Sequence, residues 1–206
     1  RMGKALYELG GNNGMIVSRH ANIDLAVRGI VFGAVGTAGQ RCTTLRRLIV
    51  HTSVYDVLMT KLKSAYASLP VGDNFKEETL VGPLINQESV DRMQSALEQA
   101  KAKGYTVHGG EVVEGCSVRP AIVEATEQCD LIKTETFAPI LYVLKYSDLD
   151  EAINIHNAVP QGLSSCIFTD NVQEAETFTS AVGSDCGIVN INICLLYTSP
   201  SPRDGT

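Results

Sequence analysis

The chain has 206 residues, 44% hydrophobic and 19% charged, which is enough for a sizeable core and unlike a disordered polymer. Its formal net charge of −6 argues against a nucleic-acid partner held by phosphate contacts, and an anionic substrate would need its own local cation. The apolar runs are too short for a transmembrane helix, and the first 14 residues lack the apolar core of a signal peptide, so no membrane partner is expected.

In chain order, residues 15–17 form a candidate strand. Asp24 is placed to cap a helix over 25–35, which Gly36 and Gly39 break. Residues 48–51 read as a strand. Ser53 reads as the N-cap of a helix to about residue 69, with Val54, Leu58, Leu62 and Ala65 on one face. A loop-like stretch over 70–83 precedes a long amphipathic helix over 86–103, ended by Gly104. Strands are expected at 106–108, 122–123 and 139–146, then a helix at 149–157. A strand at 164–168, a helix at 172–182 and a strand at 187–191 complete the alternation. This pattern predicts an α/β fold with a mostly parallel, twisted sheet flanked by helices. The stretch 194–206 (CLLYTSPSPRDGT) breaks from it. It resembles the translation of a sequencing-library adapter and is expected to be a read-through artefact, with a natural disordered tail as the alternative. The start at Arg1, with no initiator Met, points to a fragment truncated at both ends.

The six cysteines form no CxxC pair and show no metal-like spacing with histidine, so neither a metal nor a disulfide framework is expected. Reduced thiols without a secretory signal fit a cytoplasmic setting. Five cysteines read as small core residues, the usual role of a free cysteine. Cys42 differs: it follows a glycine-broken helix end, in Gly39-Gln40-Arg41-Cys42, beside polar Thr43 and Thr44. A cation at Arg41 favours thiolate, and flexible glycine backbone can present N–H donors to an oxyanion. Glu8, in Glu8-Leu9-Gly10-Gly11, is either a surface carboxylate or a general base facing that thiol. Glu135 and Phe137, in Glu135-Thr136-Phe137-Ala138-Pro139, are either ordinary solvated and core residues or a ribose-binding carboxylate and a ring that packs on a nicotinamide.

Together, in this order, these three segments resemble the aldehyde dehydrogenase superfamily, over residues 1–193. Within it, ELGGNN (8–13), VGTAGQRCTT (35–44), TETFAPILY (134–142), QGLSS (161–165) and GSDCGIVNINI (183–193) are most similar to the antiquitin type, the α-aminoadipic semialdehyde dehydrogenases. The resemblance implies an aldehyde dehydrogenase-like catalytic domain that oxidises an aldehyde with NAD, NADP being compatible. It assigns the nucleophile to Cys42, the general base to Glu8, and cofactor contacts to Glu135, Phe137, Leu9 and Gly10. It gives Arg41 the distal carboxylate of the substrate, a planar fork suited to a bidentate grip, with thiolate support or a structural salt bridge as the alternative. It also implies a homo-oligomer, a tetramer, and an oxyanion shared between the Cys42 N–H and an amide from a preceding domain. A Gly-rich dinucleotide-binding domain is absent from the chain, so the isolated chain is expected to bind NAD weakly and not to turn over. The competing readings are an enzyme that passes the acyl group to coenzyme A, against which Glu8 argues; a cysteine hydrolase using His20, His51, His108 or His156; and a non-catalytic relative.

Overall fold

A computed structural model describes residues 3–195. In chain order the elements are β1 (Gly14–Val17), α1 (Ile23–Val35), β2 (Arg47–His51), α2 (Thr52–Ala67), α3 (Gln87–Ala102), β3 (Thr106–Gly109), β4 (Val112–Glu114), β5 (Ser117–Val118), β6 (Ala121–Glu124), α4 (Asp130–Lys133), β7 (Ile140–Tyr146), α5 (Leu149–Asn157), β8 (Ser164–Phe168), α6 (Val172–Thr179) and β9 (Ile188–Ile191). Among the described residues the main sheet has seven strands in the order β3-β6-β7-β2-β1-β8-β9. Every pairing in it is parallel except the edge pair β3–β6. The sheet is therefore the mostly parallel one that the alternation predicts.

The central strands explain why their sequences look apolar throughout rather than alternating. β1, β2 and β8 are buried at every residue, as in parallel sheets covered on both faces. α1 and α2 pack on each other, while α5 lies against β1, β2 and β7. The edges are more open: β3 is exposed at both ends and half-buried at Val107 and His108, and β9 buries only Asn190.

Two helix starts differ from expectation by two residues each. Asn22, not Asp24, caps α1 by accepting from the Leu25 N–H at 3.1 Å. Asp24 lies inside the first turn, where Lys61 donates to it at 2.8 Å. The His51 ring, not Ser53, caps α2 by accepting from the Ser53 N–H at 3.1 Å. Asn86, expected as the first residue of its helix, is instead the cap of α3, and Gly104 ends the helix as expected, at φ +80, a left-handed stop. α6 ends at Thr179, short of residue 182, because Ser180 to Ser184 fold into a turn, with the Gly183 and Ser184 N–H groups bonded to Ser180 O and Phe178 O. The short β4–β5 ribbon and the one-turn α4 were not foreseen; elements of two to four residues carry too little periodicity to show.

Cys194 and Leu195 fall in the stretch that departs from the pattern, yet both are buried, and the Ser164 hydroxyl donates to Leu195 O at 3.3 Å. The rest of that stretch, 196–206, lies outside the described residues.

Candidate active site

Strand order decides which segments meet. β7, β2, β1 and β8 are consecutive neighbours running in one direction. The chain enters β7 through 134–139, β2 through 39–46, β1 through 8–13 and β8 through 161–163. The three motif segments thus come together at the amino ends of adjacent strands. Open α/β sheets more often bind ligands beyond the carboxyl ends.

The segment before Cys42 is wound tightly. Gly36–Gly39 is a kinked, non-helical turn in which Thr37 (φ 53) and Ala38 (φ 52) both sit in the left-handed region. That conformation is costly for a residue with a side chain and persists only where surroundings enforce it. The turn is also pressed against its neighbour: a Cβ on Gly39 would lie 2.5 Å from the Ala138 carbonyl. The cysteine loop and the Phe137 loop are in backbone contact. Cys42 emerges exposed at the end of this turn. Behind it, fully buried Asn13 donates to Cys42 O at 2.8 Å and to Thr44 O at 2.9 Å. The same side chain accepts from the Leu163 and Ser164 N–H groups at 3.2 and 2.9 Å. One amide therefore ties the loop of the thiol to the start of β8.

The cation nearest this machinery is Arg46. Its side chain is almost fully buried, and it donates to Glu135 Oε1 at 2.9 Å. It also donates to Arg41 O at 3.0 Å and, at 3.4 Å, to Gly39 O and Gly11 O, and lies 5.2 Å from the centre of the Phe137 ring. Burial pulls its guanidinium below the usual value, while Glu135 and, more weakly, Cys42 favour the charged form. Arg41 points elsewhere. It is exposed, donates to Thr37 Oγ1 at 3.1 Å, and lines a groove of about 510 Å³ with Val27, Val31, Phe32 and Leu80. Phe137 is partly exposed and held at φ 58. Glu135 is about one third exposed and borders a cavity of about 560 Å³ with Glu8, Leu9, Gly10, Gln161 and Asp185. A Cβ on Gly10 would fall 3.0 Å from Glu135 Oε2, so the ELGG and E-x-F segments also touch.

The structure thus gathers Glu8, Leu9, Gly10 and Glu135 around one cavity, with Phe137 and Cys42 on the loops joined by Gly39. Cys42 is not among the residues lining that cavity, and Glu8 is exposed. Asn13 and Arg46 were not singled out from the sequence. Asn13 stands inside the ELGGNN string. Arg46-Arg47, two charges opening a strongly apolar strand, was the visible signal for Arg46. Arg47 is fully buried and bonds Asn12 O, Gln128 Oε1 and the Ile155 and His156 carbonyls at the end of α5, a placement that suits a cation.

The four histidines are engaged away from Cys42. His51 caps α2, His20 lies 4.0 Å from Glu174, and His108 bonds Glu124 at 2.7 Å. His156 bonds Ser184 at 2.8 Å, and burial and then Arg47 push it down to about 3. Among the remaining thiols, burial pushes Cys166 up to about 12 and raises Cys186. Cys129 packs half-buried against the core; burial raises it, but hydrogen bonds from Tyr105 and from the Ile132 and Leu131 backbone outweigh this and draw it down.

The aldehyde dehydrogenase family model matches residues 1–205. The chain is 47% identical over 196 residues to aldehyde dehydrogenase family 7 member B4 of Arabidopsis thaliana, covering 94% of this chain and 39% of that protein. It is 46% identical over 197 residues to the alpha-aminoadipic semialdehyde dehydrogenase of Bos taurus, covering 94% and 36%. Among solved structures, a protein from Burkholderia cenocepacia assigned as an aldehyde dehydrogenase superposes with a TM-score of 0.89 at 32% identity, over 94% of this chain and 40% of that one. The Thermus thermophilus 1-pyrroline-5-carboxylate dehydrogenase gives 0.85 at 27%, over 90% and 36%. The chain spans less than two fifths of the length of these two curated relatives.

Proposed function

The chain belongs to the aldehyde dehydrogenase family, and on that premise we propose that it is the thiol-bearing part of an enzyme that oxidises an aldehyde to a carboxylate with NAD(P). The observation that carries this reading is an exposed Cys42 on a strained loop fastened, through Gly39 and Arg46, to Glu135 and Phe137. These two residues fit a nicotinamide riboside. The Glu135 carboxylate has one oxygen on Arg46 and remains part-exposed to accept ribose hydroxyls, and the Phe137 side chain is itself part-exposed.

The Cys42 thiolate attacks the aldehyde carbon and forms a thiohemiacetal, with the oxygen's charge taken by the Cys42 N–H. The bound nicotinamide supplies the hydride acceptor. Once the hydride has left, Cys42 carries a thioester. Glu8 takes a proton from water, which opens the thioester, releases the carboxylate and restores the thiol. For the substrate we propose a semialdehyde with a distal carboxylate, α-aminoadipic semialdehyde being the best fit. The support is Arg41 in a mainly apolar groove that it shares with Val27, Val31, Phe32 and Leu80, and with Arg28 as a second cation, which suits an aliphatic chain ending in an anion. NAD as the working cofactor, a homo-oligomeric assembly and a cytoplasmic location complete the reading. Among the described residues no helix is long and apolar enough to cross a membrane.

The test is NADH formation by a protein of the relatives' full length containing this segment. Cys42→Ala should abolish it. Glu8→Gln should leave a burst of NADH but block turnover, because hydride loss precedes hydrolysis. Arg41→Ala should raise KM for a carboxylated aldehyde about tenfold more than for an uncharged one, the loss of one charge-assisted contact. Full turnover by Cys42→Ala would overturn the thiol mechanism, and equal effects of Arg41→Ala on both aldehydes would overturn the substrate.

A further inference from the structure

Resting on that reading, we propose that Arg46 is a positioning residue that holds the Glu135–Phe137 platform in register with the Cys42 loop. Its place is unusual for a charge. The Arg46 side chain is 4% exposed, while its carboxylate partner is 32% exposed, so the cation lies inside and the anion faces the cavity. A buried guanidinium persists only when its donors are engaged. Here they reach four acceptors on three separate chain segments: Gly11 O before β1, Gly39 O and Arg41 O before β2, and Glu135 Oε1 before β7. A planar fork with five fixed donors can span such a set, whereas an ammonium on a flexible stem cannot.

The pairing with Glu135 also leaves room for a ligand. Arg46 Nη2 engages Oε1 alone, and Oε2 turns towards Gly10 and the cavity that Glu135 shares with Glu8. A fork-to-fork pair would have used both oxygens and competed with ribose hydroxyls. The Phe137 ring lies over the guanidinium at 5.2 Å, close enough for a cation–π attraction that helps hold this residue at its left-handed φ of 58. One side chain thus sets the carboxylate, the ring and the carbonyl of the residue just before the nucleophile.

The experiment uses the full-length protein with Arg46→Met, Arg46→Lys, Glu135→Gln and the Arg46→Met/Glu135→Gln double variant. NADH affinity is read by fluorescence titration, kcat and KM for NAD by steady-state assay, both well below each variant's melting temperature. Arg46→Met should weaken NADH binding and raise KM for NAD about tenfold or more, the scale of a lost charge-assisted bond. Adding Glu135→Gln should then cost less than about a further twofold, because the carboxylate has already lost its place. Arg46→Lys should recover only part of the affinity. NADH binding by Arg46→Met within twofold of wild type, full recovery by Arg46→Lys, or multiplicative effects in the double variant would each overturn the inference alone. A wild type that neither binds NADH nor oxidises aldehydes would overturn the functional reading, and this inference with it.

Discussion

Replacing Asn13 tests whether the Cys42 loop is fixed from behind. Its amide makes four hydrogen bonds, to Cys42 O, Thr44 O, and the Leu163 and Ser164 N–H groups. The Cys42 and Leu163 contacts are part-buried, and water can replace the amide there. The Thr44 and Ser164 contacts are buried, and an unmet buried group costs about 1–3 kcal/mol, so Asn13→Ala should lose about 2–6 kcal/mol. Asn13→Asp gives the sharper test because it keeps the shape. Ionised, its carboxylate would face two carbonyl oxygens where the amide had donated. Full burial and the two carbonyls, set against the Leu163 and Ser164 N–H donors, raise its folded pKa above the unfolded value of about 3.9, and the stability loss grows as pH rises from that value to the folded one. Urea denaturation followed by circular dichroism at pH 5 and pH 8 measures both effects, and hydrogen exchange at 41–45 reports loosening of the loop. A loss below about 1 kcal/mol for Asn13→Ala, or an Asn13→Asp penalty that does not change with pH, would refute the account of Asn13 as the tie between β8 and the thiol's loop.

The buried neutral His156, at about 3 in the folded chain against an ordinary 6.5, takes up its proton on unfolding; stability should fall as pH drops below about 6.5, and His156→Gln should flatten that part of the urea-midpoint curve. Glu124 behaves oppositely in origin. Burial raises its carboxyl, but hydrogen bonds from Lys63, Tyr55 and His108 hold it at about 2, so its contribution is present above about pH 4.5 and is lost as pH falls towards 2. Solvent screening at this part-exposed cluster keeps the Glu124→Gln effect to about 1 kcal/mol, seen as a reduced acid dependence of the midpoint. Gly39→Ala should cut kcat at least about tenfold with a smaller change in melting temperature, since its Cβ would strike the Ala138 carbonyl and move the loop that carries Cys42. Wild-type kcat in Gly39→Ala would show that the backbone contact does not set the thiol's position.

Much of the fold was readable because its signals are local. Helix α5 and strand β8 occur at the predicted residues, and the apolar runs of β2 and β7 announce strands covered on both faces. Caps were harder to place. Asn22 and Asp24 are both good capping residues two positions apart, and the choice rests on backbone angles rather than on composition. The His51 ring as a cap has no common sequence signature.

The sequence by itself determined that a reactive-looking thiol at Cys42, the Glu8 and Glu135 segments and an α/β sheet belong to one chain, since residue types and periodicity are properties of neighbours along it. Only the tertiary structure decided how these parts meet. The order β7-β2-β1-β8 brings segments more than a hundred residues apart to one end of the sheet. It also moved the supporting cation. Arg41, adjacent to Cys42, turns outward to a mainly apolar groove, while Arg46, five residues after Arg41, turns inward to Glu135. The physical reason is that Arg41 lies on an exposed turn, whereas Arg46 lies in the buried approach to β2, where its charge has no solvent and must find protein acceptors.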